Sequence, residues 1–282
     1  MIRKPFGATG IEVSAIGQGT WDIPESGPRA REAIRAIQRG VELGMTHLDT
    51  AEMYGSGRAE ELLGEAIRGF PREKLFIASK VLPSNASYAG TIAAARRSIE
   101  RIGCEYLDLY MLHWPGEHPL EETMRAFDGL LSEGAIRFAG VSNFDTGEMR
   151  QATSFLRGAP LACNQVLYNL CERGVEHELL PSAARLGIAI VAYTPFARGK
   201  FLRSRAARET IDRIARKHAA TRHQVALAFL LRHSNVFAIP KAANAEHAEE
   251  NARAADLLLD GDDVAAVDAV FPLPAPGPLA TL

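Results

Sequence analysis

Four side chains in this sequence are of the types needed to protonate a carbonyl oxygen: Asp49, Tyr54, Lys80 and His113. A free tyrosine, with a pKa of about 10, holds its proton too tightly for ready exchange near neutrality. A buried ammonium beside it favours the phenolate and lowers that pKa. Lys80 suits this task, and Asp49 keeps it charged and oriented, because an isolated buried ammonium is costly. His113, as a neutral imidazole, can donate a hydrogen bond that orients the carbonyl. Such a set polarises and protonates an oxygen but holds no reducing equivalent, so a cofactor must bring the hydride.

Short apolar runs alternating with longer amphipathic segments give these residues their positions. Strands are expected at 46–49, 75–81, 107–112, 136–141, 162–168, 188–193 and 236–239, with a first one at 15–19. The early runs recur at roughly 30-residue steps, the length of one βαβ unit. Helical patterns fall between them, among them 58–70, 206–218 and 221–232, the last opened by a Thr-x-x-Gln capping box at Thr221 and Gln224. Alternate residues of a strand share a face: His47 with Asp49, Phe76 and Ala78 with Lys80, Leu109 and Met111 with His113. In each case the column ends in an ionisable residue where the strand stops. Tyr54 follows Asp49 by five residues, in a loop with Gly55 and Gly57 that can fold back over the same end.

Eight strands alternating with helices make a parallel α/β architecture. An open doubly wound sheet should carry GxGxxG after its first strand. Gly17-Gln18-Gly19 is followed by Asp22 where the third glycine belongs, and Gly55-Ser56-Gly57 by Glu60. The pattern therefore reads as a (β/α)8 TIM barrel, with its chemistry at the C-terminal ends of the strands. Residues 1–14, turning at Gly7-Ala8-Thr9-Gly10, read as an N-terminal β-hairpin, and the proline-rich 272–282 as an extended C-terminal arm. No linker divides the chain, so 1–282 reads as a single domain.

Composition excludes several function classes. The 282 residues are 47% hydrophobic and 23% charged, which argues against disorder. A net charge of −2 gives no electrostatic reason to expect nucleic acid or an anionic membrane as partner. There is neither a bilayer-spanning apolar run nor a signal-peptide pattern at the start. Cys104, Cys163 and Cys171 lack CxxC or zinc spacing and read as reduced, buried thiols of a cytoplasmic protein. His177-Glu178 is not followed by the second histidine of HExxH, so no metal site is expected, and Gly199-Lys200-Phe201 lacks the Walker pattern. His47 reads as a barrel-core histidine, while His118, His218, His223 and His233 read as surface groups. Arg203, Arg205 and Arg208 read as a solvated helix face.

Motifs at successive strand ends carry a resemblance. They are Gly19-Thr20-Trp21, Leu48-Asp49-Thr50-Ala51 with Tyr54-Gly55, Ser79-Lys80, and Leu107 through His113-Trp114-Pro115. Further on come Gly140-Val141-Ser142-Asn143-Phe144, Asn164-Gln165, Ala192-Tyr193-Thr194-Pro195 and Ile239-Pro240-Lys241. In this order, over essentially the whole chain, they resemble the aldo-keto reductase superfamily. The resemblance implies NADPH-dependent reduction of aldehydes or ketones, with Asp49, Tyr54, Lys80 and His113 as catalytic tetrad and Tyr54 as general acid. It implies that Ser142, Asn143 and Gln165 bind the nicotinamide carboxamide while Tyr193 stacks on the ring. Gly19, Thr20, Trp21 and Asp49 then lie beside the cofactor. The segment 194–201, with Thr194, Pro195, Phe196, Arg198 and Gly199, covers the pyrophosphate. Lys241 pairs with the 2′-phosphate, Ala242 and His247 flank it, and Glu250 and Asn251 contact adenine. Trp21, Tyr54, His113 and Trp114 line the substrate pocket.

Two features depart from the family pattern. NADPH-selective members commonly carry Ser or Thr after that lysine and Arg six positions beyond it. This chain has Ala242 and His247, so its phosphate grip is weaker and NADH remains open as a cofactor. The loop 114–118 and the C-terminal arm are both short, which implies an open, permissive pocket. The expected partner is a small carbonyl substrate and the expected state a monomer. Two other functions fit the same residues: a nicotinamide-binding regulatory barrel that turns over slowly or not at all, and a Schiff-base lyase using Lys80.

Overall fold

The computed structural model describes all 282 residues. Strands β1 (Arg3–Pro5) and β2 (Glu12–Ser14) pair antiparallel as the expected hairpin. Eight parallel strands follow, each hydrogen-bonded to the next in chain order. They are β3 (Gln18–Gly19), β4 (His47–Asp49), β5 (Phe76–Val81), β6 (Leu107–Leu112), β7 (Ile136–Ser142), β8 (Cys163–Leu167), β9 (Ala189–Tyr193) and β10 (Val236–Ala238). The first expected strand divides in two: its later part pairs with β4, while Ile16 bridges to Ala238 on β10. There the Gly17 amide donates to the Ala238 carbonyl at 2.8 Å and the Ala238 amide to that of Ala15 at 3.0 Å, which closes the barrel.

Ten helices surround the strands: α1 (Gly27–Glu42), α2 (Arg58–Ile67), α3 (Tyr88–Ile102), α4 (Leu120–Ser132), α5 (Thr146–Phe155), α6 (Leu179–Leu186), α7 (Arg205–Lys217), α8 (Arg222–Leu231), α9 (Ala245–Arg253) and α10 (Gly261–Val270). The capping box at Thr221 and Gln224 is formed in both directions at the start of α8. Helix α2 stops three residues earlier than its apolar pattern implies. Arg68 leaves helical geometry, Gly69 turns left-handed, and Pro71 follows.

The period of two separates two apolar regions. Outward-facing strand residues pack under the helices. Inward-facing Phe76, Leu109, Met111, Cys163, Val191 and Phe237 fill the barrel interior and meet Phe6 and Val13 from the hairpin. The Phe6 ring lies 4.9 Å from those of both Phe76 and Phe237, so the hairpin plugs the N-terminal end. Its turn depends on Gly7: φ is +58°, and a Cβ there would lie 2.6 Å from the Gly187 carbonyl oxygen. Lys4 completes the seal by donating to the carbonyls of Leu231, His233 and Val236. The opposite, C-terminal end of the barrel is left to the loops.

Several placements correct the sequence reading. His218, His223 and His233 are half-buried rather than on the surface, because His218 bonds Asp263 and His223 packs edge-on to Phe196 and Phe201. Of the three free thiols only Cys163 is buried; Cys104 is half-buried and Cys171 exposed, each sitting in a connection rather than a strand. His47 is the core group expected, its ring edge-on to Phe6 and Phe76, and burial lowers its pKa to about 4. Arg203, Arg205 and Arg208 are exposed, as read. No helix is long and apolar enough to cross a membrane.

Candidate active site

Asp49 ends β4 and Lys80 lies near the end of β5, both fully inside the barrel. Lys80 spends all three N–H groups: Nζ donates to Asp49 Oδ1 at 2.6 Å, to the Thr50 carbonyl at 2.8 Å and to Tyr54 Oη at 3.3 Å. Burial alone would lower the pKa of this ammonium; Asp49 and Tyr54 more than offset it, and the net direction is upward. A fully buried lysine held charged on three acceptors is a poor amine nucleophile, so this geometry does not favour a Schiff-base role. The second Asp49 oxygen, Oδ2, accepts from Gln165 Nε2 at 2.7 Å.

The turn after β4 returns the Tyr54 ring to the barrel mouth. Glu52 anchors that turn, its Oε1 accepting from the Leu82 amide at 2.8 Å and Asn85 Nδ2 at 2.9 Å just beyond β5. The sequence reading did not single out Glu52, and only its place between Asp49 and Tyr54 could have drawn attention to it. One expectation is corrected here. Burial raises the Tyr54 pKa, and the nearby Lys80 charge opposes that rise without overturning it, so the phenol stays protonated. His113 follows β6 with its ring 5.8 Å from that of Tyr54, edge to face. Burial and then the Lys80 charge lower its pKa to about 2, so the imidazole is neutral, as expected. Its Nδ1 is buried without a partner.

Tyr54 and His113 open into a cavity of about 540 Å³. Of the residues expected around a cofactor or substrate, Gly19, Trp21, Asp49, Ser142, Asn143, Gln165, Tyr193, Thr194, Pro195, Phe196, Arg198, Lys241 and Trp114 line it. Thr20 lies behind, its hydroxyl on the Asp49 carbonyl, and Gly199, Ala242, His247, Glu250 and Asn251 are not in the lining. Glu250 instead pairs with Thr221 and His223, and His247 is exposed in the first turn of α9. Ile239, from the motif before Lys241, also lines the cavity, as do Asp22, Met53 and Leu282, which no sequence signal placed there. The C-terminal arm thus does reach the mouth. With Trp21, Met53 and Trp114, Leu282 gives the cavity an apolar rim.

The polar donors are sorted by position. Ser142, Asn143 and Gln165 supply neutral groups; the Asn143 amide holds the Tyr193 hydroxyl at 2.8 Å and donates to the His113 carbonyl at 3.1 Å. Arg198 and Lys241 supply cations. The Arg198 guanidinium lies 4.7 Å from the Trp21 ring centre, and Lys241 donates to the Asp22 carbonyl at 2.9 Å. Gly19 lets β3 approach the segment after β10 closely, since a Cβ there would lie 2.9 Å from the Ile239 carbonyl oxygen. Neutral amides together with two cations in one cavity fit an elongated anionic ligand bearing a carboxamide.

The aldo/keto reductase family pattern matches residues 15–271, nearly the whole barrel. The chain belongs to the aldo/keto reductase family. A methylglyoxal reductase of Escherichia coli (strain K12) is 40% identical to this reductase over 265 residues, covering 94% of this chain and 93% of its own. A glyoxal reductase of Bacillus subtilis (strain 168) is 34% identical over 263 residues, covering 93% and 90%. Among solved structures, an aldo/keto reductase from Klebsiella pneumoniae in complex with NADP and acetate superposes with a TM-score of 0.93 at 40% identity, covering 99% of both chains.

Proposed function

We propose that this reductase takes hydride from NADPH and delivers it to small aldehydes and ketones, with 2-oxoaldehydes of the methylglyoxal type as its substrate class. One observation carries the reading: Tyr54 is a protonated phenol at the cavity, receiving a hydrogen bond from a buried, charge-paired Lys80. Tyr54 gives its proton to the carbonyl oxygen. Lys80, already donating to that Oη, stabilises the phenolate left behind, and Asp49 holds Lys80 charged. Neutral His113 donates a hydrogen bond that orients the same oxygen. The apolar rim of Trp21, Met53, Trp114 and Leu282 limits water around these groups. The name of the Escherichia coli relative and a cavity that must admit cofactor and substrate together support a small substrate.

Ser142, Asn143 and Gln165 would hold the carboxamide, Tyr193 the ring face, and segment 194–201 with Lys241 the phosphates. Lys241 supports NADPH as the preferred cofactor. Because Ala242 and His247 offer the 2′-phosphate nothing from within the cavity, the reading includes slower use of NADH. It also takes the protein as a cytoplasmic monomer without a nucleic-acid partner. Three free thiols support a reducing compartment, and light scattering on a sizing column reads the oligomeric state.

The test follows nicotinamide absorbance with NADPH and NADH in parallel over methylglyoxal, glyoxal, benzaldehyde and simple ketones. The expected result is NADPH-dependent turnover, with kcat/KM higher for the 2-oxoaldehydes than for the ketones. Tight NADPH binding without turnover on any carbonyl would replace this reading with a regulatory barrel. Borohydride trapping of substrate on Lys80 would replace it with a lyase.

A further inference from the structure

The bond from Gln165 to Asp49 is unusual in its reach. Gln165 sits on β8 and Asp49 on β4, four strands apart in an eight-stranded ring, so their bond crosses the barrel at its widest separation. Both side chains are buried, and beneath them lie Cys163 and Met111 of the interior core. The pair forms the polar floor of the cavity above that core. An amide facing a carboxylate must present its NH₂, so one Nε2–H of Gln165 is committed to Asp49 Oδ2, and its other N–H and Oε1 remain for a ligand. Asp49 is then held at both oxygens, Oδ1 by Lys80 and Oδ2 by Gln165.

We propose that Gln165 is a positioning residue of the proton relay, fixing the Asp49 carboxylate so that Lys80 stays within reach of Tyr54. This goes beyond a contact with the cofactor carboxamide and rests on the reading of Tyr54 as proton donor. Without the Gln165 bond, Asp49 Oδ2 has no protein donor. The carboxylate then draws the Lys80 ammonium more strongly to itself, at the expense of the bond to Tyr54. The phenol loses part of the stabilisation of its anion, which slows proton delivery and moves loss of the proton to higher pH. The other ionisable groups facing this cluster are His47 on β4, His113 after β6, Cys163 on β8 and Tyr193 on β9, and none donates to Asp49.

The experiment measures kcat against pH at saturating NADPH for wild type, Gln165→Met and the isosteric Gln165→Glu, with cofactor Kd from fluorescence quenching and Tm recorded for each. For Gln165→Met, kcat falls about tenfold near neutrality and its alkaline limb moves upward. Gln165→Glu is informative in a different way. A protonated glutamic acid can donate to Asp49 as the amide does, and two adjacent carboxyls share a proton readily. Its kcat is expected near wild type at acid pH and lost as that shared proton leaves. If Gln165 only holds the cofactor, Kd weakens while both profiles keep the wild-type shape, and the inference is overturned. A lowered Tm with an unchanged profile in the surviving enzyme overturns it equally. Tyr54→Phe is run alongside: if that variant keeps wild-type turnover, the proton-donor reading itself fails, whatever the Gln165 variants do.

Discussion

Two buried ionic clusters in this protein are built from the same parts. One joins Tyr54, Lys80 and Asp49 at the barrel mouth. The other joins Tyr168, just past β8, to Glu176, Arg173 and Arg232. In the second, both bonding directions of the tyrosine hydroxyl and both carboxylate oxygens are spent within the protein. The Tyr168 hydroxyl donates to Glu176 Oε1 at 2.8 Å and accepts from Arg232 at 3.2 Å, while both Glu176 oxygens take guanidinium donors at 2.8–2.9 Å. In the first, Tyr54 Oη receives a bond from Lys80, its own proton goes to no protein acceptor, and the group opens on a cavity. A tyrosine, a carboxylate and a cation therefore mark a reaction centre only where one hydrogen-bonding direction is left to a ligand.

The largest expected effect is at that open direction. Tyr54→Phe removes the proton donor and should lower kcat about 10³-fold, some 4 kcal/mol of barrier, while NADPH binding and Tm stay near wild type. The pH profile sharpens the point. His113 is held neutral down to about 2 and the Tyr54 phenol is raised, so neither titrates near neutrality. Wild-type kcat should stay flat from about pH 5 to 8, the range in which an ordinary histidine changes charge. A limb near the ordinary histidine pKa would show that the Tyr54–His113 pair is wetter than this structure has it.

The sealed cluster should answer in stability instead. Glu176→Gln leaves two guanidinium groups facing an amide and is expected to cost about 3 kcal/mol of unfolding free energy, with kcat of the folded enzyme unchanged. Burial alone would raise the Glu176 carboxyl, but hydrogen bonds from Arg173 and Tyr168 and the Arg232 charge outweigh it and hold it at about 2. A carboxylate depressed from 4.5 to about 2 stabilises the fold fully above pH 4.5 and loses that contribution as pH falls toward 2. Urea melts of wild type over this window should therefore show a loss of order 3 kcal/mol that Glu176→Gln does not show. Parallel curves for the two proteins would mean that the cluster contributes nothing in its charged form.

The first cluster was legible in the sequence and the second was not, for a physical reason. Asp49, Lys80 and His113 lie at or beside the ends of strands whose alternation fixes which way they point, and the parallel register of those strands brings the ends to one rim. Tyr54 lies five residues from Asp49, so its arrival needed only a short turn. Glu176 and Arg173 sit in an irregular connection and Arg232 follows α8, and no period relates them. The same limit hid Asp22, Met53 and Leu282, which line the cavity from loops and the tail, and the Gln165–Asp49 bond, which spans 116 residues of chain. The net direction at Tyr54 was misread because the pull of a neighbouring lysine follows from residue types, whereas the opposing cost of burial depends on how completely the ring is enclosed. The half-burial of His218 and His223 is invisible in the sequence because their partners, Asp263 for one and Phe196, Phe201 and Glu250 for the other, come from distant segments.

The smallest effect tests the comparison most directly, because it makes at Tyr168 the change that stops chemistry at Tyr54. Tyr168→Phe removes one hydroxyl that both donates to Glu176 and accepts from Arg232. The ring remains packed, and Glu176 keeps its guanidinium donors, so the loss is close to that of one hydrogen bond to a charged group, about 1–2 kcal/mol. The carboxyl also loses one of the donors that depress its pKa, so the onset of acid unfolding should move toward higher pH. Turnover should be unaltered within error, since no atom of Tyr168 lines the cavity. If Tyr168→Phe lowered kcat as Tyr54→Phe does, an unspent bonding direction at a cavity would not be what separates a reaction centre from a structural cluster, and the assignment of Tyr54 would have to rest on its neighbours alone.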